Sequence, residues 1–157
     1  MNENDANRAT EGLPVSFTDA TIEDFPAALE FIRNLWDYNT YDEQETRAVY
    51  EKVIADPDSF IFFARAADGS YCGMCHGDYF QTFWMSGLTC YVSSLIVRRE
   101  CRGRGVGTAL LDHALARAKS RGCKAATLDS GLPRTAAHTF YEHYGFEKSC
   151  YGFEKYL

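Results

Sequence analysis

A chain of 157 residues with 46% hydrophobic and 15% aromatic content has the length and the apolar mass of one globular domain, which excludes an intrinsically disordered protein. Its net charge of −6 excludes a general nucleic-acid binder. No apolar run approaches the roughly 20 residues that cross a membrane, which removes a membrane partner from the expectation.

Residues 1–12 are polar, partly acidic and without the apolar stretch of a signal or transit peptide. Residues 1–13 are therefore expected as a flexible tail, residues 14–157 as a single domain, and the location as cytoplasmic. A first short strand is predicted over 14–20. Thr21 followed by Asp24 reads as a helix start, a hydroxyl cap with an acid in the first turn. Ile22, Phe25, Leu29, Ile32 and Trp36 then recur at helical spacing and are expected to face inward. A second helix is predicted over 42–55, with Val49, Val53 and Ile54 inward, ending before Asp56-Pro57.

Residues 59–66 read as a strand, and Asp68-Gly69 is a favoured two-residue hairpin turn leading into a long strand over 71–83. A turn at Ser86-Gly87 opens the next strand, residues 89–98. Leu95-Ile96-Val97 is apolar at successive positions, which predicts a strand end buried on both faces. A helix follows the glycine-rich stretch, with Val106, Leu110, Leu111, Ala114, Leu115 and Ala118 as its inward stripe and Gly122 as its stop. A strand over 124–129, a helix over 134–144 closed by Gly145, and one or two strands over 146–157 complete a mixed α/β order.

The six cysteines, at 72, 75, 90, 101, 123 and 150, lie in core-like segments and are expected to be reduced. Cys72-Gly73-Met74-Cys75-His76 matches the c-type haem attachment string. It falls in a predicted strand, however, where residues three apart point to opposite faces, so the two sulfurs diverge. The four histidines include no pair three or four apart, and no metal site is expected.

Charge is uneven along the chain. Asp37, Asp42, Glu43, Glu45 and Glu51 crowd one early segment, whereas Arg98, Arg99, Arg102 and Arg104 crowd a later one. Between the buried strand and the third helix stands Arg102-Gly103-Arg104-Gly105-Val106-Gly107-Thr108. Glycines at 103, 105 and 107 let backbone N–H groups approach a ligand, and the first helical turn adds orphan N–H groups and the positive end of its dipole. Arg102 and Arg104 add full charges, so a pyrophosphate suits the loop. Thr108 departs from a dinucleotide fingerprint, and the loop lacks the Gly-Lys-Ser/Thr of a P-loop.

Two motifs stand in order along the chain: Arg102, Gly105 and Gly107 in the loop, and Ala137, Phe140, Tyr141, Gly145 and Phe146 on and just past the last predicted helix. In both, the chain resembles the GNAT superfamily of acyl-CoA-dependent N-acetyltransferases, whose loop pattern and second signature they match. The resemblance implies a mixed, mostly antiparallel twisted sheet, splayed at the cofactor site and flanked by about four helices. It implies that acetyl-CoA rests its diphosphate on residues 102–108, including Val106 and Thr108. The pantetheine arm would then run along Leu95, Ile96 and Val97. Arg134 and Ala137 join the expected cofactor contacts, with Arg134 open to an acceptor role instead. Tyr141 is implied as the general acid. A thiol near pKa 8.5 and a tyrosine near 10 differ by about 1.5 units, roughly 2 kcal/mol, a gap an active site offsets.

Many family members hold a carboxylate on the strand before the loop. Here that strand reads Tyr91-Val92-Ser93-Ser94, so Asp78, Asp129 or a water chain stand as candidates for the base. Cys101, between arginines, is a candidate for a lowered pKa but not for the nucleophile, because the family transfers acetyl directly. The aromatic run over 79–85 is a candidate pocket lining, core or dimer surface, and a homodimer is a candidate assembly. The expected acceptor is a primary amine: an aminoalkylphosphonate, aminoglycoside, polyamine or amino acid, or a protein lysine or N-terminus. The alternatives are a non-catalytic acyl-CoA-binding sensor and, behind it, a nucleotide-binding domain.

Overall fold

Five strand-forming segments build the sheet: β1 (Ser16–Asp19), β2 (Ser59–Arg65), β3 (Tyr71–Thr82), β4 (Gly87–Val97) and β5 (Ala125–Leu128). They lie in the order β1-β2-β3-β4-β5, and the first three ladders are antiparallel. The computed structural model describes residues 12–157, so most of the expected tail lies outside the described residues. Four α-helices accompany the sheet: α1 (Phe25–Leu35), α2 (Glu43–Ala55), α3 (Val106–Ser120) and α4 (Thr135–Tyr144). The backbone separates into two units, one ending at Thr127 and one comprising Leu128–Leu157. No helix among the described residues is long and apolar enough to cross a membrane.

Alternation along β2 explains the layering of the first unit. Ile61 and Phe63 point to one face, where they join Met74, Ile96, Tyr50 of α2 and Phe25, Ala28, Leu29 and Phe31 of α1. Phe62 points to the other face and meets the His113 ring of α3 at 4.6 Å between centroids. Gly73 permits that packing, since a Cβ there would sit 2.8 Å from both the Ile96 carbonyl and Leu110 Cδ1. Leu110 and Leu111 are fully buried, as the α3 stripe predicts. Gly69 adopts φ +83° in the β2–β3 hairpin, but the turn is longer than the expected two residues: the Gly69 N–H donates to the Ala66 carbonyl and the Ala66 N–H to the Ser70 carbonyl, each at 2.9 Å. Gly122 adopts φ +78° just past the α3 terminus.

A polar network fixes the start of α1. The Asp24 carboxylate accepts from the Thr21 backbone N–H at 2.9 Å, the Thr21 hydroxyl at 3.0 Å and Arg65 at 2.8 Å, and also from the Tyr71 hydroxyl. Burial pushes this carboxyl up, but the bonds from Tyr71 and Thr21, with the Arg65 charge, outweigh it and hold the group below the ordinary carboxylate range.

Four further expectations need correction. Ile22 is exposed because residues 22–24 form a 3₁₀ turn, which puts Ile22 out of phase with the stripe that starts at Phe25. Val49 is also exposed, and Tyr50 is the α2 residue that enters the core. Leu95 and Val97 are half-buried while Ile96 is buried, so this strand end has one closed face and one open one. Residues 146–157 carry no strand: Tyr151, Phe153, Tyr156 and Leu157 are exposed, and alternation without a ladder partner does not make a strand.

Candidate active site

The loop leaving β4 has the backbone that its glycines predict. Gly103 and Gly105 adopt φ +69° and +78°, left-handed values that suit only glycine well, and a Cβ at either would meet no atom of the described residues within 4 Å. Gly105 is the N-cap of α3 and supplies no side-chain cap, so the first N–H groups of a 15-residue helix are left for solvent or a ligand. Val106 is buried and anchors the turn. Gly107 and Thr108 lie in the first turn of α3. Residues 102–105 are exposed. Arg102 Nε donates to the Val97 carbonyl at 3.0 Å, which fixes the guanidinium stem at the strand end. The Arg104 carbonyl accepts from the Leu13 N–H at 2.9 Å.

Beside this loop lies a cleft of about 250 Å³ between the end of β4 and α1, lined by Ile96, Val97, Arg98, Arg102, Phe31 and Asn34 among others. Ile96, Val97 and Arg102, read separately from the sequence, therefore share one wall of one depression. Arg98 pairs with Glu30 of α1 at 3.3 Å across it. Leu95 is not part of that lining; it pairs in register with Cys75 of β3.

A second constellation sits on β3 and β4. The β3–β4 register shifts between His76 and Gly77: His76 faces Ser94 and Gly77 faces Val92, leaving Ser93 as an extra residue on β4. The Ser93 hydroxyl lies 2.8 Å from His76 Nδ1. On the other side of the ring, Nε2 lies 3.9 Å from Asp78 Oδ2, and Asp78 Oδ1 accepts from the Ser59 hydroxyl at 2.6 Å. Burial pushes the His76 imidazole below its ordinary pKa, and the Asp78 charge opposes this only in part.

Of the three, only Asp78 is foreseen as functional. The spacing of His76 and Asp78 does put both on one face of a strand. Their meeting with Ser93 depends on hairpin register and on a bulge, neither of which residue types encode locally.

In the second unit, Arg134 is the N-cap of α4 and Gly145, at φ +111°, closes it. Ala137 lies in the first turn and is half-buried. Tyr141 is half-buried, its ring 5.3 Å from Phe140 and 6.0 Å from Phe146 between centroids. The motif's three aromatics thus form one cluster around Tyr141. Asp129, the other candidate base, is exposed.

Cys101 departs from its expected behaviour. It is buried, and burial together with the neighbouring Cys72 pushes its thiol up to about 11 despite the surrounding arginines. Cys72 thus neighbours Cys101 while Cys75 neighbours Cys90, in keeping with diverging sulfurs. The aromatic run divides: Tyr79 is buried against Phe60, whereas Phe83 and Trp84 are exposed at the hairpin tip.

The model of the acetyltransferase (GNAT) family matches residues 20–146. An uncharacterized N-acetyltransferase of Bacillus subtilis (strain 168) is 31% identical over 134 residues, which span 85% of this chain and 89% of that protein. A transcriptional regulator of Bacillus halodurans C-125 superposes with a TM-score of 0.83 at 20% identity, over 92% of this chain and all of that one. An aminoglycoside acetyltransferase from an uncultured soil metagenomic sample superposes with a TM-score of 0.74 at 14% identity, over 91% of this chain and 96% of that one. The two solved structures share the fold.

Proposed function

The chain belongs to the GNAT family of acetyltransferases, and from that premise we propose that it moves acetyl from acetyl-CoA to a primary amine, directly, within a ternary complex. The observation that carries the donor assignment is the loop after β4. Two left-handed glycines hold its backbone without Cβ cover, and the helix N-terminus behind it has no side-chain cap. This is a fit for a diphosphate, with Gly103, Gly105, Val106, Gly107 and Thr108 giving amides and Arg102 and Arg104 giving charge. The strand end at Leu95, Ile96 and Val97, with Leu95 and Val97 half-buried, suits the pantetheine arm. Arg134 and Ala137 are proposed as donor contacts on the strength of the helix motif alone.

The donor supplies an activated thioester, and the chain's own groups manage protons. Tyr141, within its aromatic cluster, is the proposed acid for the leaving thiolate. The acceptor is proposed as a small cationic amine. In support, Asp37, Glu43, Glu45 and Glu51 are exposed and make a field that attracts cations, and one similar fold is that of an aminoglycoside acetyltransferase. Asp42 is already used, accepting from the Glu45 N–H at 2.9 Å to cap α2. The same reading carries a cytoplasmic protein and a homodimer to be tested by sedimentation.

Thermal melts in the presence of acetyl-CoA, NAD or ATP test the donor assignment. Stabilisation by acetyl-CoA alone is the expected result. Stabilisation by NAD or ATP without acetyl-CoA would contradict it.

A further inference from the structure

An alkylamine is mostly protonated at neutral pH and has to shed a proton before it attacks a thioester. The strand that feeds the donor loop carries no carboxylate, only Ser93 and Ser94. Ser93 is the bulged residue of β4, outside the ladder and half-open to solvent. It lies two residues, roughly 7 Å of strand, behind Leu95, where the proposed pantetheine path begins. Bulges re-aim side chains in this way next to reacting centres. Its hydroxyl is held 2.8 Å from His76 Nδ1.

We propose that Ser93, His76 and Asp78 form a proton relay that deprotonates the acceptor amine. Ser93 Oγ takes a proton from the amine as it passes its own to His76 Nδ1, and Asp78 balances the imidazolium. The C–N bond forms and the thioester C–S bond breaks. The thiolate leaves with a proton from Tyr141, the acylated nitrogen gives its second proton to solvent, Tyr141 takes one back from solvent, and the imidazolium discharges its own. Ser93 is the group that touches the amine; His76 acts through it, and Asp78 orients the ring. The relay rests on the acetyl-transfer reading above.

Three observations carry it. His76 Nε2 is buried and has no hydrogen-bond partner among the described residues, and such a group calls for an explanation. The nearest counter-charge is Asp78 at 3.9 Å. A proton on Nε2 facing that carboxylate leaves the Nδ1 lone pair for the Ser93 hydroxyl, the tautomer a relay needs. Apo geometry of this kind tightens when the substrate is bound. Second, Ser59 of β2 donates to the other Asp78 oxygen at 2.6 Å, so the carboxylate is anchored from behind. Third, burial keeps the imidazole neutral and able to accept. Around the ring, β2 contributes Ile61 and β4 contributes Ser93 and Ser94, and Asp78 is the charged group that it feels.

The test uses the full chain with Ser93→Ala, His76→Gln and Asp78→Asn. Free-thiol release is followed against pH with the best amine, and acetyl-CoA binding is measured by thermal shift. At pH 7, Ser93→Ala and His76→Gln should lose about 100-fold in kcat/KM. The loss should shrink towards the amine's own pKa, with the acetyl-CoA shift unchanged. Asp78→Asn should lose less and move the acid limb of the profile. Ser93→Ala removes one half-open hydroxyl, so it carries the test if the His76 variant fails to fold. Wild-type rates in both variants, or a loss of rate equal at every pH, would overturn the relay. If the wild type binds acetyl-CoA but releases no thiol with any amine, the acetyl-transfer reading fails, and the relay with it.

Discussion

Gly105→Ala isolates the conformational requirement of the donor loop. The residue sits at φ +78°, and an added Cβ meets no atom of the described residues within 4 Å. Packing therefore contributes nothing to the cost, which is the left-handed backbone of an L-residue, roughly 1–2 kcal/mol. For a domain of this size 1 kcal/mol lowers Tm by roughly 2–4 °C, so the variant should melt about 2–8 °C below the wild type. Where the loop relaxes instead, the amides at the start of α3 leave the ligand's reach and the same cost falls on binding rather than on folding. Since 1.4 kcal/mol is about tenfold in affinity, acetyl-CoA then binds up to roughly 5–30-fold more weakly, with a correspondingly smaller loss of Tm. Differential scanning fluorimetry gives the first quantity and titration calorimetry the second. An alanine variant that melts and binds as the wild type does would refute both the strain and the amide cradle.

Two further outcomes follow from the same structure. Tyr141→Phe should slow thiol release by about 100-fold while acetyl-CoA affinity stays within about twofold; unchanged turnover would remove the acid role. Asp24→Asn should cost about 3 kcal/mol at pH 7, because it leaves Arg65 and Tyr71 facing a neutral, mismatched amide. The Asp24 carboxyl is lowered by folding, so its contribution is present above the unfolded value near 3.9 and disappears as pH falls through the lower folded one. Denaturant melts from pH 7 to pH 3 should show this acid limb in the wild type and its loss in the variant.

Much of the architecture was legible because it is written in periodicity. The α3 stripe from Val106 to Ala118 and the helix stops at Gly122 and Gly145 are local signals, and each is realised, while the β2–β3 hairpin forms at Gly69 with a longer turn than the dipeptide predicts. The misplacements arise where tertiary structure overrides the local pattern. Ile22 fell out of phase because its turn is 3₁₀. Residues 146–157 have the alternation of a strand but no ladder partner. Cys101 has arginine neighbours in sequence but a buried thiol in space, and desolvation outweighs the charges. The loop of the donor site was readable because glycine and arginine spacing is contiguous. The Ser93–His76 contact was not, because it joins residues 17 apart through a register shift.

Acetyl transfer to an amine is read out by free-thiol release from acetyl-CoA. The panel should cover polyamines, aminoglycosides, aminophosphonates, amino acids and lysine peptides. Amine-dependent thiol release with at least one small cationic amine, and an acetylated product of matching mass, is the expected result. Binding of acetyl-CoA with no thiol release above the amine-free rate, for every acceptor class, would contradict it.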